Sequence, residues 1–166
     1  MINKFPALVR LARPRQWIKN GFVAAPLFFT PEAVNVRNLG LVAAAVAMFC
    51  LLSSAIYAFN DWCDRTADRE HPSKRSRPIA SGAVSPGLAL VWAALLFAAG
   101  VALALFLLPT PAFALAVAYV AMSVLYSAGL KHIAILDVLI VAAGFVLRLE
   151  VGGAAVGRSS ARPCRP

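Results

Sequence analysis

The 166-residue chain is 61% hydrophobic, with a mean hydropathy of +0.77 and a formal net charge of +9. An ordinary soluble domain is roughly 45–50% apolar, and so small a domain leaves much of its surface outside; the composition argues against a soluble bundle and for lipid as the solvent. The basic residues cluster between apolar runs and form no stripe interleaved with aromatics, which sets nucleic acid aside and points to anionic headgroups at a membrane.

The opening stretch, MINKFPALVRLARPRQWIKN, is basic but lacks the apolar core and small-residue cleavage site of a signal peptide, and reads as a retained interfacial segment. A short apolar segment runs from Trp17 to about Phe29, with Trp17 as a belt residue and Lys19 beside it at headgroup level. Longer apolar segments cover about Leu39 to Phe59, Pro86 to Leu108, Ala112 to Tyr126 and Ile133 to Gly152, against a span requirement of roughly 17–25 residues. Pro86 suits the first turn of a helix, and PTP at 109–111 makes a tight break. No segment alternates with period two as a barrel strand does. The fold expected is an all-α polytopic transmembrane bundle of about five helices, with Gly152 and Gly153 allowing close helix packing. Cys50, Cys63 and Cys164 form no C-x-x-C pair and are odd in number, which argues against a disulfide framework or zinc site; Cys50 reads as apolar filler.

Lys4, Arg10, Arg13, Arg15 and Lys19 precede the first segment, and Arg65, Arg69, Lys74, Arg75 and Arg77 lie between the second and third. The intervening link has only Arg37, the PTP link has no basic residue, and the following link has Lys131. This alternation places the N-terminus on the cytosolic side of a multi-pass protein of the cell membrane. The tail GRSSARPCRP, with Arg158, Arg162 and Arg165, breaks the pattern. It divides the chain into a membrane unit of residues 1–157 and a disordered or aberrant end at 158–166.

The connection AFNDWCDRTADREHPSKRSRPIASG, residues 58–82, concentrates four of the seven acidic residues and five of the sixteen basic ones. Asp61, Asp64 and Asp68 are three and four apart, so a helix continuing past Phe59 puts them on one face with Asn60 one turn before Asp64. Two readings fit. In one, Asp61 pairs with Arg65 and Glu70 with Lys74 in an exposed loop helix. In the other, the oxygen-rich patch takes Mg²⁺, which bridges one or two carboxylates to substrate phosphates, while Lys74, Arg75 and Arg77 meet phosphate oxygens.

NDWCDRTAD is an N-D-x-x-D-x-x-x-D motif, and it resembles the first aspartate-rich motif of the UbiA superfamily of intramembrane prenyltransferases. The continuation HPSKRSRPIASG and the earlier RPRQWIKN are most similar to the branch that transfers phosphoribosyl groups to decaprenyl phosphate. LYSAGLKHIAILDVLIVAAGFVLRLEVGGAAVG resembles that branch's fourth and fifth helices. The likeness covers roughly residues 10 to 157.

The resemblance implies about nine transmembrane helices around a cavity open to cytosol and lipid, with two facing aspartate-rich motifs that bind Mg²⁺. It implies transfer from phosphoribosyl diphosphate to a polyprenyl phosphate, feeding arabinan assembly in mycobacterial-type cell walls. Carried over, Asn60, Asp61, Asp64 and Asp68 form the metal- and diphosphate-binding face, with the three aspartates as catalytic residues. Lys74, Arg75 and Arg77 hold phosphate, and Tyr126 and Lys131 fall on the family's Tyr/Lys pair. Relatives of this branch often have a second Lys where this chain has Gly129. The second aspartate-rich motif is expected beyond the fifth helix, and neither Asp137 nor Glu150 starts such a series. The chain is therefore expected to be the N-terminal half of such an enzyme, inactive alone. Two alternatives stay open: a prenyltransferase moving a prenyl chain from its diphosphate to an aromatic acceptor, and a non-catalytic membrane protein.

Of the other polar residues, Asp137 reads as cavity lining or as a helix-end carboxylate near the interface. Arg148 and Glu150 read as snorkelling anchors. His71 and His132 lack metal-ligand spacing, and Tyr57 fits cavity lining and packing equally.

Overall fold

The computed structural model describes residues 5–130 and 133–157. In chain order these form α1 (Phe5–Ala12), a 3-10 stretch (Pro14–Ala24), α2 (Ala25–Phe29), a 3-10 turn (Pro31–Ala33), α3 (Val36–Cys63), α4 (Arg65–Glu70), α5 (Pro86–Leu107), α6 (Thr110–Ala128) and α7 (Ala134–Val156). The architecture is all-α, as the apolar runs predict. Among the described residues, α3, α5 and α6 are long and apolar enough to cross a membrane. The 23-residue α7 has comparable length but carries Asp137, Arg148 and Glu150.

The helix starts follow local chemistry. Asn35 accepts a hydrogen bond from the Asn38 N–H (2.9 Å), and the Asn38 amide donates to the Ala33 carbonyl (2.7 Å), fixing the entry to α3. Ser85 caps α5 through the Leu88 N–H (3.4 Å), and Pro86 occupies the first turn as expected. Leu108 and Pro109 alone separate α5 from α6, so these two form a tight hairpin.

The first apolar segment differs in form from the other four. Between Pro14 and Ala24 the chain is 3-10, and only Ala25–Phe29 is α-helical. Pro14, Gly21 and Pro26 weaken an α-helix here, while polar side chains bind the stretch to α3. The Trp17 indole donates to Ser54 Oγ (3.0 Å), and Ser54 donates on to the Ala12 carbonyl (2.8 Å). The Asn20 amide donates to Cys50 Sγ (3.3 Å) and Ser53 Oγ (3.5 Å). Trp17 and Cys50, read as belt and filler, thus also serve as hydrogen-bond partners that pin the stretch.

Helix α3 is central and touches α1, the 3-10 stretch, α5, α6 and α7. Its Met48, Phe49 and Leu52 join Ala104 and Leu108 beside α5, Ala112, Ala116 and Tyr119 of α6, Val151 of α7 and Val23 in the main core. A second cluster joins Leu11, Ala58, Ala89 and Ala93 to Ile79 and Val84 of the connecting loop. That loop is therefore held down at its C-terminal end. Large apolar residues such as Phe28, Phe29, Phe106 and Ile135 point outward, which suits a lipid surroundings.

Gly152 is where α7 meets the 3-10 stretch: a Cβ there would collide with the Val23 carbonyl oxygen. Close packing at Gly152 is as expected, whereas Gly153 has open space beside it. Gly152→Ala is expected to destabilise the bundle by about 1–3 kcal/mol through overpacking, read as a lowered unfolding temperature in detergent, with Gly153→Ala unchanged.

Candidate functional site

Helix α3 runs on to Cys63 and places Asn60 and Asp61 on its last turn; the Asp64 N–H still bonds the Asn60 carbonyl (3.0 Å) before α4 begins. At about 100° per residue, the four side chains fan across a ~100° sector, with Asn60 at one edge, Asp64 next, and Asp68 and Asp61 nearly in line at the other. The structure uses the two edges differently.

Asp61 is 2% exposed. Its Oδ1 accepts from Arg13 Nη2 (2.5 Å) and Arg77 Nη1 (3.1 Å), and the same Arg77 nitrogen donates to Asp68 Oδ2 (2.7 Å). One guanidinium thus bridges the two carboxylates, and the N-terminal segment and the loop converge on the end of α3. The repulsion inherent in the aspartate spacing is offset by these distant arginines. The local pairs expected from sequence do not form: Arg65 Nη1 donates to the Trp62 carbonyl (2.8 Å) with its guanidinium over the Trp62 ring (4.6 Å), and Glu70 and Lys74 are exposed and apart. A four-residue spacing gives proximity along a helix, but burial of Asp61 favours cations that arrive from the bundle side. Lys74 and Arg75 stand exposed on the loop, and only Arg77 of the three predicted phosphate-binding cations is drawn in. The loop is further tied by Arg10 Nη2 to the Ser76 carbonyl (3.4 Å), and His71 Nδ1 faces Ser73 Oγ (3.1 Å).

At the other edge, Asn60 lines an open cavity of about 280 Å³ between α3, α6, α7 and the 3-10 stretch. Among the described residues its cations are Arg13, Lys19 and Arg148, and none of those that line it is Asp or Glu. Tyr57, Tyr119 and Tyr126 contribute phenols, and Ile56, Met122, Ile140, Val141 and Phe145 form apolar walls. Tyr57 therefore lines the cavity, with the Arg13 guanidinium over its ring at 5.1 Å. Tyr126 donates to Asp137 Oδ1 (2.8 Å), so Asp137 orients a cavity phenol. Asp64 and Asp137 both interact electrostatically with Tyr126; Asp64 itself is not among the residues that line the cavity. Lys131, His132 and the tail at 158–166 lie outside the described residues.

The donor set at this rim is carboxylate and amide oxygen, the chemistry Mg²⁺ selects. Among the described residues no three His, Cys, Asp or Glu side chains converge as a metal cage. Mg²⁺ does not need one, since it usually takes one or two carboxylates and completes its shell with water and substrate phosphate. Asp61 and Asp68 are engaged by Arg77, so the oxygen donors that this rim would offer such an ion are Asp64 and Asn60, of which Asn60 lines the cavity.

Arg148 overturns the snorkelling expectation. It is 6% exposed and turned into the bundle, where Nε donates to Asn20 Oδ1 (3.0 Å), Nη1 to the Gly144 carbonyl (2.7 Å) and Nη2 to Tyr119 Oη (3.0 Å). Glu150, by contrast, is exposed. The rule that intramembrane charges face a cavity or partner was the available signal for Arg148; nothing local marked Asn20 or Tyr119.

A model of the UbiA prenyltransferase family matches residues 21–164. The chain is 42% identical over 160 residues to a decaprenyl-phosphate phosphoribosyltransferase of Corynebacterium glutamicum, covering 93% of this chain and 48% of that protein. It is likewise 42% identical over 157 residues to one of Mycolicibacterium smegmatis, covering 92% and 49%. A protoheme IX farnesyltransferase of Archaeoglobus fulgidus is 30% identical over 105 residues, covering 62% of this chain and 36% of that protein. The chain spans about half the length of the curated phosphoribosyltransferases it matches.

Proposed function

Because the chain belongs to the UbiA prenyltransferase family, a family of membrane-embedded transferases, we propose that it supplies the first aspartate-rich face of an enzyme that moves a phosphoribosyl group from phosphoribosyl diphosphate to a polyprenyl phosphate. We place this site, with the N-terminus, on the cytosolic side of the cell membrane, following the alternation of Lys and Arg. The observation that carries the reading is an aspartate-rich helix end at the rim of a cation-lined cavity with apolar walls.

The residues divide the work by position. Asp61 and Asp68, held by Arg13 and Arg77, fix the turn that carries Asp64. Asp64 and Asn60 would hold Mg²⁺, which when bound neutralises a diphosphate and makes it a better leaving group. Arg13 and Lys19 place positive charge where phosphate oxygens enter. Ile56, Met122, Ile140, Val141 and Phe145 give the cavity apolar walls that would disfavour water, a competitor of the acceptor for the donor. Tyr126, its proton directed to Asp137, offers its phenol oxygen as an acceptor toward donor hydroxyls.

The second reading, transfer of a prenyl chain, draws on the farnesyltransferase similarity. The donor separates the two. The purified chain in lipid nanodiscs with Mg²⁺ is expected to bind phosphoribosyl diphosphate at least about tenfold more tightly than geranyl diphosphate; the reverse order favours prenyl transfer. With one aspartate-rich face among its residues, the 166-residue chain is expected to bind donor without passing label to polyprenyl phosphate, and label transfer in that assay would overturn this.

A further inference from the structure

Arg148 lies on α7 eight residues before the helix ends at Val156, about 12 Å along the axis. A guanidinium there is costly unless solvated by the protein. Three neutral oxygens do so, from Asn20, Gly144 and Tyr119, and the rings of Tyr119, Phe49 and Phe145 lie 4.9, 5.5 and 5.8 Å from its Cζ. Gly144 makes the room: a Cβ there would stand 3.3 Å from Nη1. Of five N–H groups, these bonds use three, leaving one on Nη1 and one on Nη2 without an acceptor among the described residues. No carboxylate forms an ion pair with Arg148 among those residues, and none lines the cavity it faces.

A buried, fully oriented cation with neutral partners is a receptor for an anion. We propose that Arg148, held by Asn20 and Tyr119, forms an anion subsite inside the cavity that takes a phosphate monoester, separate from the aspartate-rich rim and independent of metal. Within the function proposed above, which supplies the identity of the ligand and not the site, this is where the phosphate of the acceptor lipid rests. The division is chemical. Carboxylates at the rim repel a bare phosphate and need a cation to bind a diphosphate, whereas a guanidinium binds a monophosphate directly. Two phosphorylated substrates can thereby be sorted between the ends of one cavity.

The test uses the purified chain in detergent with EDTA, titrated with farnesyl phosphate, farnesol and inorganic phosphate by calorimetry. Farnesyl phosphate is expected to bind at least about tenfold more tightly than farnesol. Competition by millimolar inorganic phosphate assigns the affinity to the headgroup alone; its failure to compete assigns it to the lipid phosphate as a unit. Arg148→Gln is expected to lose about tenfold in farnesyl phosphate affinity and Arg148→Lys to retain most of it. Asn20→Asp sets a carboxylate of nearly the same shape against Nε and neutralises the cation in place, and is expected to lose the same affinity; because it also gives up the amide's donations to Cys50 and Ser53, its unfolding temperature is read alongside, and the farnesol comparison on the parent decides the matter if neither variant folds. A purely structural Arg148 would give Asn20→Asp and Arg148→Gln proteins that bind like the parent, and that result overturns the subsite, as does equal binding of farnesol. Because these titrations contain EDTA and no phosphoribosyl diphosphate, failure of the rim to bind phosphoribosyl diphosphate with Mg²⁺ would count against the proposed function without touching the subsite.

Discussion

Asp61→Asn is expected to lower the stability of the purified chain by about 3 kcal/mol, at the lower end for breaking a buried ion pair because its partners are partly exposed. The carboxylate is 2% exposed and receives both Arg13 and Arg77, whose side chains are 27% and 25% exposed. An amide of the same shape keeps the space filled but leaves two guanidinium groups facing a neutral oxygen. Three parts of the chain meet at this one atom: the segment after α1, the end of α3 and the connecting loop. Loosening should therefore show in the loop first. Limited trypsin digestion is expected to cut at Lys74 and Arg75, already exposed, several-fold faster in the variant. Unchanged unfolding temperature and unchanged digestion would mean that the cluster does not anchor the loop.

Asp64→Asn is expected to have the opposite profile. On a helical projection Asp64 falls between Asp68, which Arg77 holds, and Asn60, which lines the cavity. Its loss should weaken Mg²⁺-dependent binding of phosphoribosyl diphosphate by about 100-fold, the upper range seen even for groups one shell removed from a metal. The unfolding temperature should fall less than in Asp61→Asn. Measured by titration in nanodiscs with and without Mg²⁺, equal affinities for parent and variant would remove Asp64 from the metal site. The two substitutions together separate an aspartate that builds the rim from one that uses it.

Much of this was readable in the sequence because it is local. Long apolar runs mark α3, α5, α6 and, despite Asp137, Arg148 and Glu150, α7, and Pro86 and the PTP break mark boundaries among them. The N-D-x-x-D-x-x-x-D spacing gives one sector of a helix without knowledge of its neighbours. The pairing of Asp61 was not readable. Four-residue spacing favours Arg65, while the partners that win stand 48 and 16 residues away in sequence, and burial decides between them. Arg148 was misplaced for a related reason: a charge near a helix end can reach water or turn inward, and the choice rests on Asn20, 128 residues away. The 3-10 form of Pro14–Ala24 likewise depends on hydrogen bonds to Ser54, Ser53 and Cys50 of another element.

The backbone at Arg13 has φ 52° and ψ 58°, a left-handed geometry that costs a side-chain-bearing residue about 1–2 kcal/mol. Glycine would sit there at ease, yet only a long cation can span to Asp61 while its guanidinium covers Tyr57. A left-handed main chain is thus tolerated at a residue whose side chain ties the segment after α1 to the end of α3, so Arg13→Gly would ease the backbone and cut the tie at the same stroke.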